Sequence, residues 1–322
     1  MKSKIILISP AAAQANNGNW HTAHRWVKFL SKHCDIAIAQ GWCAAHENFD
    51  AMIALHARRS AASVHAWAAR HPDKPLILVL TGTDLYRDIQ NDASAQLSLQ
   101  LATHLVVLQD SGLAALPAAL RSKAQVIYQS ARRLKPARKG TQRFKVVMVG
   151  HLRDEKDPLT FARAADLCDK QNIHFELIGD GLDAVLASAA KQAAAELPNY
   201  HWLGGLPRGK TRQHIKHAHV LVNCSLMEGG AHVILEAVQS GTPVLASRIS
   251  GNIGMLGANY AGYFEVGDAL GLAGLIKRCA TEPVFLAHLQ SQCAQRAELF
   301  EPAIEQNLVL KLIESALLKE TP

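Results

Sequence analysis

At 322 residues the chain is long enough for two domains of ordinary size, each with its own core, and a hydrophobic content of 49% with 19% charged residues excludes a disordered or fibrous protein. No apolar run approaches the roughly 18 residues of a membrane span, so no transmembrane segment is expected. A formal charge of +7, with 16 histidines besides, favours an anionic ligand. The basic residues are dispersed apart from the run Arg132–Arg143 and no aromatics interleave with them, so small anions rather than nucleic acid are the expected partners.

The first residues, Met1 to Ala15, imitate a secretion signal, but their strongly apolar core is only Ile5–Ile8 and Pro10 interrupts the residues after it. They read as a first strand. Cys34, Cys43, Cys168, Cys224, Cys279 and Cys293 are scattered without a Cys-x-x-Cys, which fits free thiols, a reducing compartment and a cytoplasmic protein.

Strand-like runs come next at Ile36–Ala39, Met52–Leu55, Leu76–Leu80, His104–Leu108 and Val126–Tyr128, with helical patterns at Thr22–Lys32, Ala61–Arg70 and Ser111–Leu120. Such alternation predicts a parallel sheet with helices on both faces. The stretch Arg132–Arg143 then breaks the pattern and reads as a solvated linker. It places the domain boundary at residue 140, with a first domain over 1–140 and a second domain over 141–300.

The second half restarts with strand Phe144–Val149 and with Asp157 as N-cap and Pro158 as first residue of a helix running to about Lys170. Strand Ile173–Ile178, a helix ending near Pro198, strand Tyr200–Leu203 and a helix at about Lys210–His217 come after it. His219–Cys224 and Pro243–Ser247 read as buried strands flanking a helix over His232–Gln239, and Gly262–Val266 as a last strand. Beyond Glu282 the chain reads as helix only, Val284–Leu299 and Ile304–Leu318, the latter expected to cross back onto the first domain. The class is therefore α/β, two doubly wound parallel sheets in tandem, an arrangement that usually holds its ligand at strand C-terminal ends.

Four loops at such ends carry chemistry. After His219–Cys224, the loop Ser225–Ala231 holds Glu228, Gly229 and Gly230 just ahead of a helix, where unpaired N–H groups accept an anion and glycines permit close approach. Glu228 suits sugar hydroxyls. Glu236, with seven residues between it and Glu228, has mainly apolar neighbours and suits a ribose diol rather than a solvated helix face. Gly150-His-Leu-Arg-Asp-Glu-Lys156 supplies Lys156, a point charge for a diphosphate, with His151 and Arg153 beside it; an ordinary charged loop is the alternative. In Asn16–His24, Gly18 permits a tight turn and Asn19, Trp20 and His21 stand next to it, unless this is only a turn with an N-cap. In Leu80–Asp88, Thr81, Thr83 and Asp84 could line a site and Arg87 attract an anion, or Asp84 could simply cap a helix.

No Asp-x-Asp, zinc-type histidine helix, Gly-x-Gly-x-x-Gly or Walker loop occurs, and His214, His217 and His219 read as surface residues. Metal-independent chemistry is expected.

The joint motif of Glu228, seven residues, Glu236 and Ser-Gly-Thr-Pro-Val-Leu-Ala-Ser, with Gly-His-Leu-Arg-Asp-Glu-Lys and Leu-Ile-Gly-Asp-Gly upstream, resembles the second domain of glycosyltransferase family 4 over Phe144 to about Gly254. The resemblance implies the GT-B architecture, two Rossmann-like domains facing a central cleft, with a sugar nucleotide held mainly by the second. It implies that Glu228 holds donor sugar hydroxyls, that Gly229, Gly230 and Ala231 meet sugar and phosphate through backbone N–H groups, that Glu236 binds ribose and that Lys156 binds the diphosphate. His151 stands where the family usually has arginine, Thr81 where many members have a histidine, and Gly-Gly-Ala where Gly-Phe-Gly is usual.

Asn-Gly-Asn-Trp-His-Thr-Ala-His-Arg-Trp together with Leu-Thr-Gly-Thr-Asp-Leu-Tyr-Arg-Asp resembles the selenosugar synthases of selenoneine biosynthesis. That likeness implies selenophosphate as acceptor and UDP-N-acetylglucosamine or UDP-glucose as donor, with release of UDP and a functional link to selenophosphate supply and a selenoneine-forming enzyme. Arg25, His21 or Arg87 would then build a cationic acceptor pocket. Other family 4 acceptors (sugar, lipid or thiol) and a non-catalytic sugar-nucleotide binder are the alternatives.

Overall fold

In β1 (Lys4–Ile8), Ile5 and Leu7 enter one apolar cluster while Ile6 and Ile8 enter another, because successive Cβ atoms leave a strand on opposite faces. Both sets are fully buried, as in a parallel sheet covered on both sides. This computed structural model describes residues 2–10, 18–168 and 172–318, so Asn16, Asn17 and the helix end expected near Lys170 lie outside the described residues. Contacts divide the chain into one unit of Met1–Gln129, Glu228–Gly230 and Pro302–Pro322, and another of Ser130–Met227 and Ala231–Glu301.

The first unit is built on a parallel sheet in the order β2 (Asp35–Ala39), β1, β3 (Ala51–Leu55), β4 (Leu76–Leu80), β5 (His104–Val107), β6 (Ala124–Val126). Helix α1 (Gly18–Leu30) lays Ala23, Trp26 and Leu30 on one face, joined by Val309, Leu312 and Ile313 of the last helix, Pro302–Leu318. Helices α2 (Ala61–Arg70) and α3 (Ala93–Leu101) cover the other with Val64, Trp67, Ala95 and Leu99. The order reverses between β1 and β3. Their C-terminal ends therefore frame a switch point of the kind where open α/β sheets receive ligands.

The second unit repeats the plan. Its parallel sheet runs β12 (Tyr263–Phe264), β11 (Val244–Ser247), β10 (Val220–Asn223), β7 (Phe144–Val149), β8 (Ile173–Ile178), β9 (Tyr200–Trp202), with the switch point between β7 and β10. Helices α4 (Pro158–Asp166), α5 (Ala184–Glu196), α6 (Arg208–His217) and α7 (His232–Val238) alternate with these strands. Asp157 caps α4 from the left-handed region (φ 44°), accepting from Thr160 N–H at 3.2 Å and Thr160 Oγ1 at 2.6 Å, and Pro158 opens the helix as its sequence predicts. Among the described residues no helix is long and apolar enough to cross a membrane.

Three expectations are corrected. The helix expected over Ser111–Leu120 is a turn at Gly112–Ala115 followed by a 3-10 segment, Ala118–Lys123, because Pro117 drives Leu116 to extended geometry (φ −77°, ψ 146°). By contacts the first unit ends at Gln129 and the second begins at Ser130. The supposed linker is bonded into the second unit: Leu134 N–H donates to Gln239 O, and Lys139 Nζ donates to Lys216 O and Thr242 Oγ1. Burial, with the nearby Lys216 charge, lowers the Lys139 amine to about 8. Finally, His214 and His219 are half-buried and partnered rather than freely solvated. His214 Nδ1 lies 2.7 Å from Glu176, and His219 stacks on Phe144 while its Nδ1 accepts from Lys145 N–H. With Lys145, Gln213 and His217, His214 and Glu176 line a cleft that draws on the start of β7 and on α6 rather than on strand C-terminal ends.

Candidate active site

At the second unit's switch point, the loop after β7 and the loop after β8 meet backbone to backbone. Gly150 N–H donates to Ile178 O and Leu152 N–H to Asp180 O, and a Cβ on Gly179 would lie 1.9 Å from Gly150 O. Only glycine fits there. His151 Nδ1 accepts from Asp180 N–H at 3.1 Å, so the ring proton belongs on Nε2 and the imidazole is a donor there. Arg153 is exposed ahead of the 3-10 turn Asp154–Lys156, and the aliphatic stem of half-buried Lys156 lies against Gly150. Leu226 N–H donates to Glu155 O at 2.9 Å, which ties the loop after β10 to the loop that carries Lys156.

Glu236 sits in α7, 5% exposed. Arg208 Nε and Nη2 both reach its Oε1 at 3.0 Å, and His232 Nδ1, one helical turn earlier, approaches the same oxygen at 3.5 Å. Burial by itself would raise the carboxyl. The His232 hydrogen bond and the charges of His232, Arg208 and Arg212 outweigh it and hold the group at about 2. The chain therefore keeps an ionised carboxylate in its interior with Oε2 outside all three of these contacts. Ala231 forms the N-cap of α7 with no side-chain bond.

Glu228 is half-buried and groups with Gly229 and Gly230 in the first unit. A Cβ on Gly229 would fall 2.5 Å from the Thr81 carbonyl, and one on Gly230 2.8 Å from Leu108 Cβ. Side chains at these two positions would thus collide with Thr81 and Leu108.

Elsewhere in the first unit, Gly18, Asn19, Trp20 and His21 form the opening turn of α1 rather than a tight loop, and a Cβ on Gly18 would meet nothing within 4 Å. Trp20 stacks on His24 at 5.7 Å. Arg25 is not available as an acceptor cation. Its Nε and Nη2 form a fork on Glu305 at 2.7 and 2.9 Å, and Trp26 Nε1 donates to the same fully buried carboxylate at 2.9 Å. Asp84 does not line a site either. Fully buried, it accepts from Ala57, Thr81 and Gly82 N–H at 2.8 to 2.9 Å and fixes the loop after β4. Thr81 and Thr83 are half-buried, and Thr83 Oγ1 lies 3.1 Å from His56 Nε2. Arg87 pairs with Asp88 at 3.0 Å.

Sequence reading missed Arg208, His232, Glu305, His56 and Asp88. His232 carried a signal, an i,i+4 partner for Glu236, and Asp88 adjoins Arg87; the others meet their partners only through the fold. Among the described residues no group of three or more His, Cys, Asp or Glu side chains could hold a metal ion.

Comparison with known proteins agrees with this layout. Sucrose-phosphate synthase from Thermosynechococcus elongatus superposes with a TM-score of 0.79 at 16% identity, covering 99% of this chain and all of that one. Anabaena HepE in complex with UDP-glucose gives 0.77 at 14% identity over 98% and 100%. These likenesses show the fold, two Rossmann-like parallel units of the GT-B type. Glycosyltransferase 1 domain-containing protein 1 of Xenopus tropicalis is 32% identical over 139 residues, 42% of this chain, and the match spans only 40% of that relative's length. The family model for glycosyl transferases group 1 matches residues 131–299, just over half of the chain and nearly the whole second unit with its buried Glu236 and Lys156 loop, and the protein belongs to that family.

Proposed function

We propose that the protein transfers a glycosyl group from UDP-N-acetylglucosamine or UDP-glucose to selenophosphate, without a metal ion, as a family 4 enzyme of the selenosugar synthase type. The observation that carries the donor half is the ionised, buried Glu236, set on the helix after β10 while Lys156 follows β7 across the switch point. A carboxylate held at one oxygen by Arg208 presents the other to a ribose diol. Lys156, with Arg153 and the His151 Nε2–H, supplies positive charge and a donor to the diphosphate as it leaves. Glu228 accepts from sugar hydroxyls, and the N–H groups of Gly229 to Ala231 serve the sugar and phosphate. The likeness to a protein crystallised with UDP-glucose supports the donor class.

In the reaction the bond from anomeric carbon to UDP oxygen breaks, its electron pair leaving with UDP, and a selenium lone pair forms the new C–Se bond. Selenium in selenophosphate is already an anionic soft nucleophile, so no general base is required and Thr81 suffices where relatives carry histidine. The acceptor half rests on the two N-terminal motifs. We place the enzyme in the cytoplasm, between a selenophosphate source and a selenoneine-forming enzyme. Incubation with each UDP-sugar and selenophosphate, read by mass spectrometry, tests the reading: a selenium-containing sugar with stoichiometric UDP is expected. UDP release only with another acceptor overturns the selenophosphate assignment, and binding without turnover of any kind overturns the transferase.

A further inference from the structure

A network of buried polar side chains joins the ends of β10 and β11. Asn223 and Ser247 are the last residues of those strands, and Asn252 stands in the first turn of the helix Ser250–Leu256 that comes next. All three are buried, Ser247 and Asn252 completely. The Asn252 side-chain nitrogen donates to Ser247 O at 3.0 Å, to Ser247 Oγ at 3.1 Å and to Asn223 Oδ1 at 3.3 Å. Ser247 Oγ gives its own proton to Ser225 O at 2.5 Å and so only accepts from Asn252, which fixes the orientation of the amide.

Through Ser225 the network reaches the loop after β10. Asn223 Oδ1 also accepts from Ser225 N–H at 3.2 Å, so the N–H and the C=O of this buried residue are both held by groups that Asn252 holds in turn. Leu226, the next residue, donates its N–H to Glu155 O at 2.9 Å, in the 3-10 turn that ends at Lys156. A continuous run of hydrogen bonds therefore leads from Asn252 to the neighbour of Lys156. Its far end is fixed as well. Tyr263 Oη donates to Asn252 O at 3.2 Å and to Gly257 O at 2.9 Å, and Arg296 donates to Gly254 O at 2.9 Å and Met255 O at 3.0 Å. Lysine is a flexible point charge, so what it does for a diphosphate depends on where its backbone is held. A misplacement of about 1 Å at a reacting site costs on the order of a hundredfold.

We propose that Asn252 is a positioning residue for Lys156: from the helix after β11 its amide fixes Ser225, and the bond from Leu226 to Glu155 passes that placement to the lysine turn. The hold itself stands on the hydrogen bonds alone. Its consequence, a diphosphate gripped by a lysine set in place beforehand, rests on the donor reading above.

Two measurements on the full chain test this. The first is backbone hydrogen exchange read by mass spectrometry without ligand. Asn252→Leu keeps a branched side chain and removes the donor, and should speed exchange roughly tenfold in peptides spanning 152–157 and 223–227 while the strand Ile173–Ile178 keeps its protection. Unchanged exchange over 152–157, or faster exchange everywhere, overturns the proposal. The second is calorimetric titration of UDP at a temperature where circular dichroism shows each protein folded. Asn252→Leu should weaken UDP binding roughly tenfold beside an intact Lys156, and no further in the Lys156→Ala background, because Asn252 acts through that lysine. An equal loss in both backgrounds, or none in the first, overturns it. If Asn252→Leu fails to fold, Ser247→Ala, which deletes only the hydroxyl on Ser225 O, takes its place with the same outcomes. A wild-type chain that binds no UDP sinks the donor reading, and the exchange measurement then decides the hold by itself.

Discussion

Replacing Arg208 by methionine removes the guanidinium from Glu236 while keeping an unbranched stem in place. The Glu236 carboxyl titrates at about 2 in the fold against an ordinary 4.5, and a shift of that size corresponds to about 3 kcal/mol of pH-dependent stabilisation. That sum is shared among His232, Arg208 and Arg212. The Arg208 side chain is 41% exposed, so solvent screening cuts its share to about 1 kcal/mol. The sign is set by linkage: a depressed carboxyl stabilises the fold above its unfolded value near 4.5, and the contribution disappears as pH falls toward 2. Arg208→Met should therefore lower the melting temperature by about 3 °C at pH 7, and the gap from wild type should close as the pH drops below 4.5. Thermal denaturation followed by circular dichroism from pH 3 to pH 7 reads both. A gap of the same size at every pH would mean lost packing rather than lost charge, and no gap at all would refute the pairing.

Three further outcomes are expected. Gly179→Ala sets a Cβ 1.9 Å from Gly150 O at a φ of +156° and should destabilise the second unit by about 3 kcal/mol or more, visible as a lower urea midpoint; a normal midpoint contradicts the close approach. Glu305→Ala leaves Arg25 and the Trp26 N–H without their buried carboxylate and should cost about 3–5 kcal/mol, visible as a lower melting temperature; an unchanged melting temperature contradicts the buried pairing. Lys156→Ala should lower turnover on the order of a hundredfold with an unchanged melting temperature, and near-normal kinetics would remove Lys156 from the diphosphate.

What the sequence disclosed depended on how far apart the partners stand. Capping by Asp157 and Pro158 is written in consecutive residues and appears as read, and burial of Glu236 came from Val233, Ile234, Leu235, Ala237 and Val238 around it. Alternation of strand and helix was enough for two parallel sheets. Helices at Ser250–Leu256 and Ala269–Thr281 went unread because Gly251, Gly254, Gly271 and Gly274 weaken the local helical signal, and tertiary contacts supply what propensity does not.

Side-chain partnerships were another matter. Arg25 looked like a cation for an acceptor because Glu305 lies 280 residues away, and Asp84 looked like a site carboxylate because nothing local says that Ala57 N–H arrives beside it. Arg208 stands 28 residues before Glu236, on the helix preceding β10, and no periodicity links the two. The run at Arg132–Arg143 was taken for solvated linker from its charge alone, yet the Lys139 ammonium finds two oxygen acceptors in the second unit.

The claim on which the account depends is that the second unit holds a uridine diphosphate through Glu236 and Lys156. Calorimetric titration of UDP into the wild-type chain, Glu236→Gln and Lys156→Ala tests it most directly. The account predicts saturable one-to-one binding to wild type and affinities at least about tenfold weaker for both variants; absence of UDP binding to the folded wild-type protein, or equal affinity in all three, would contradict it.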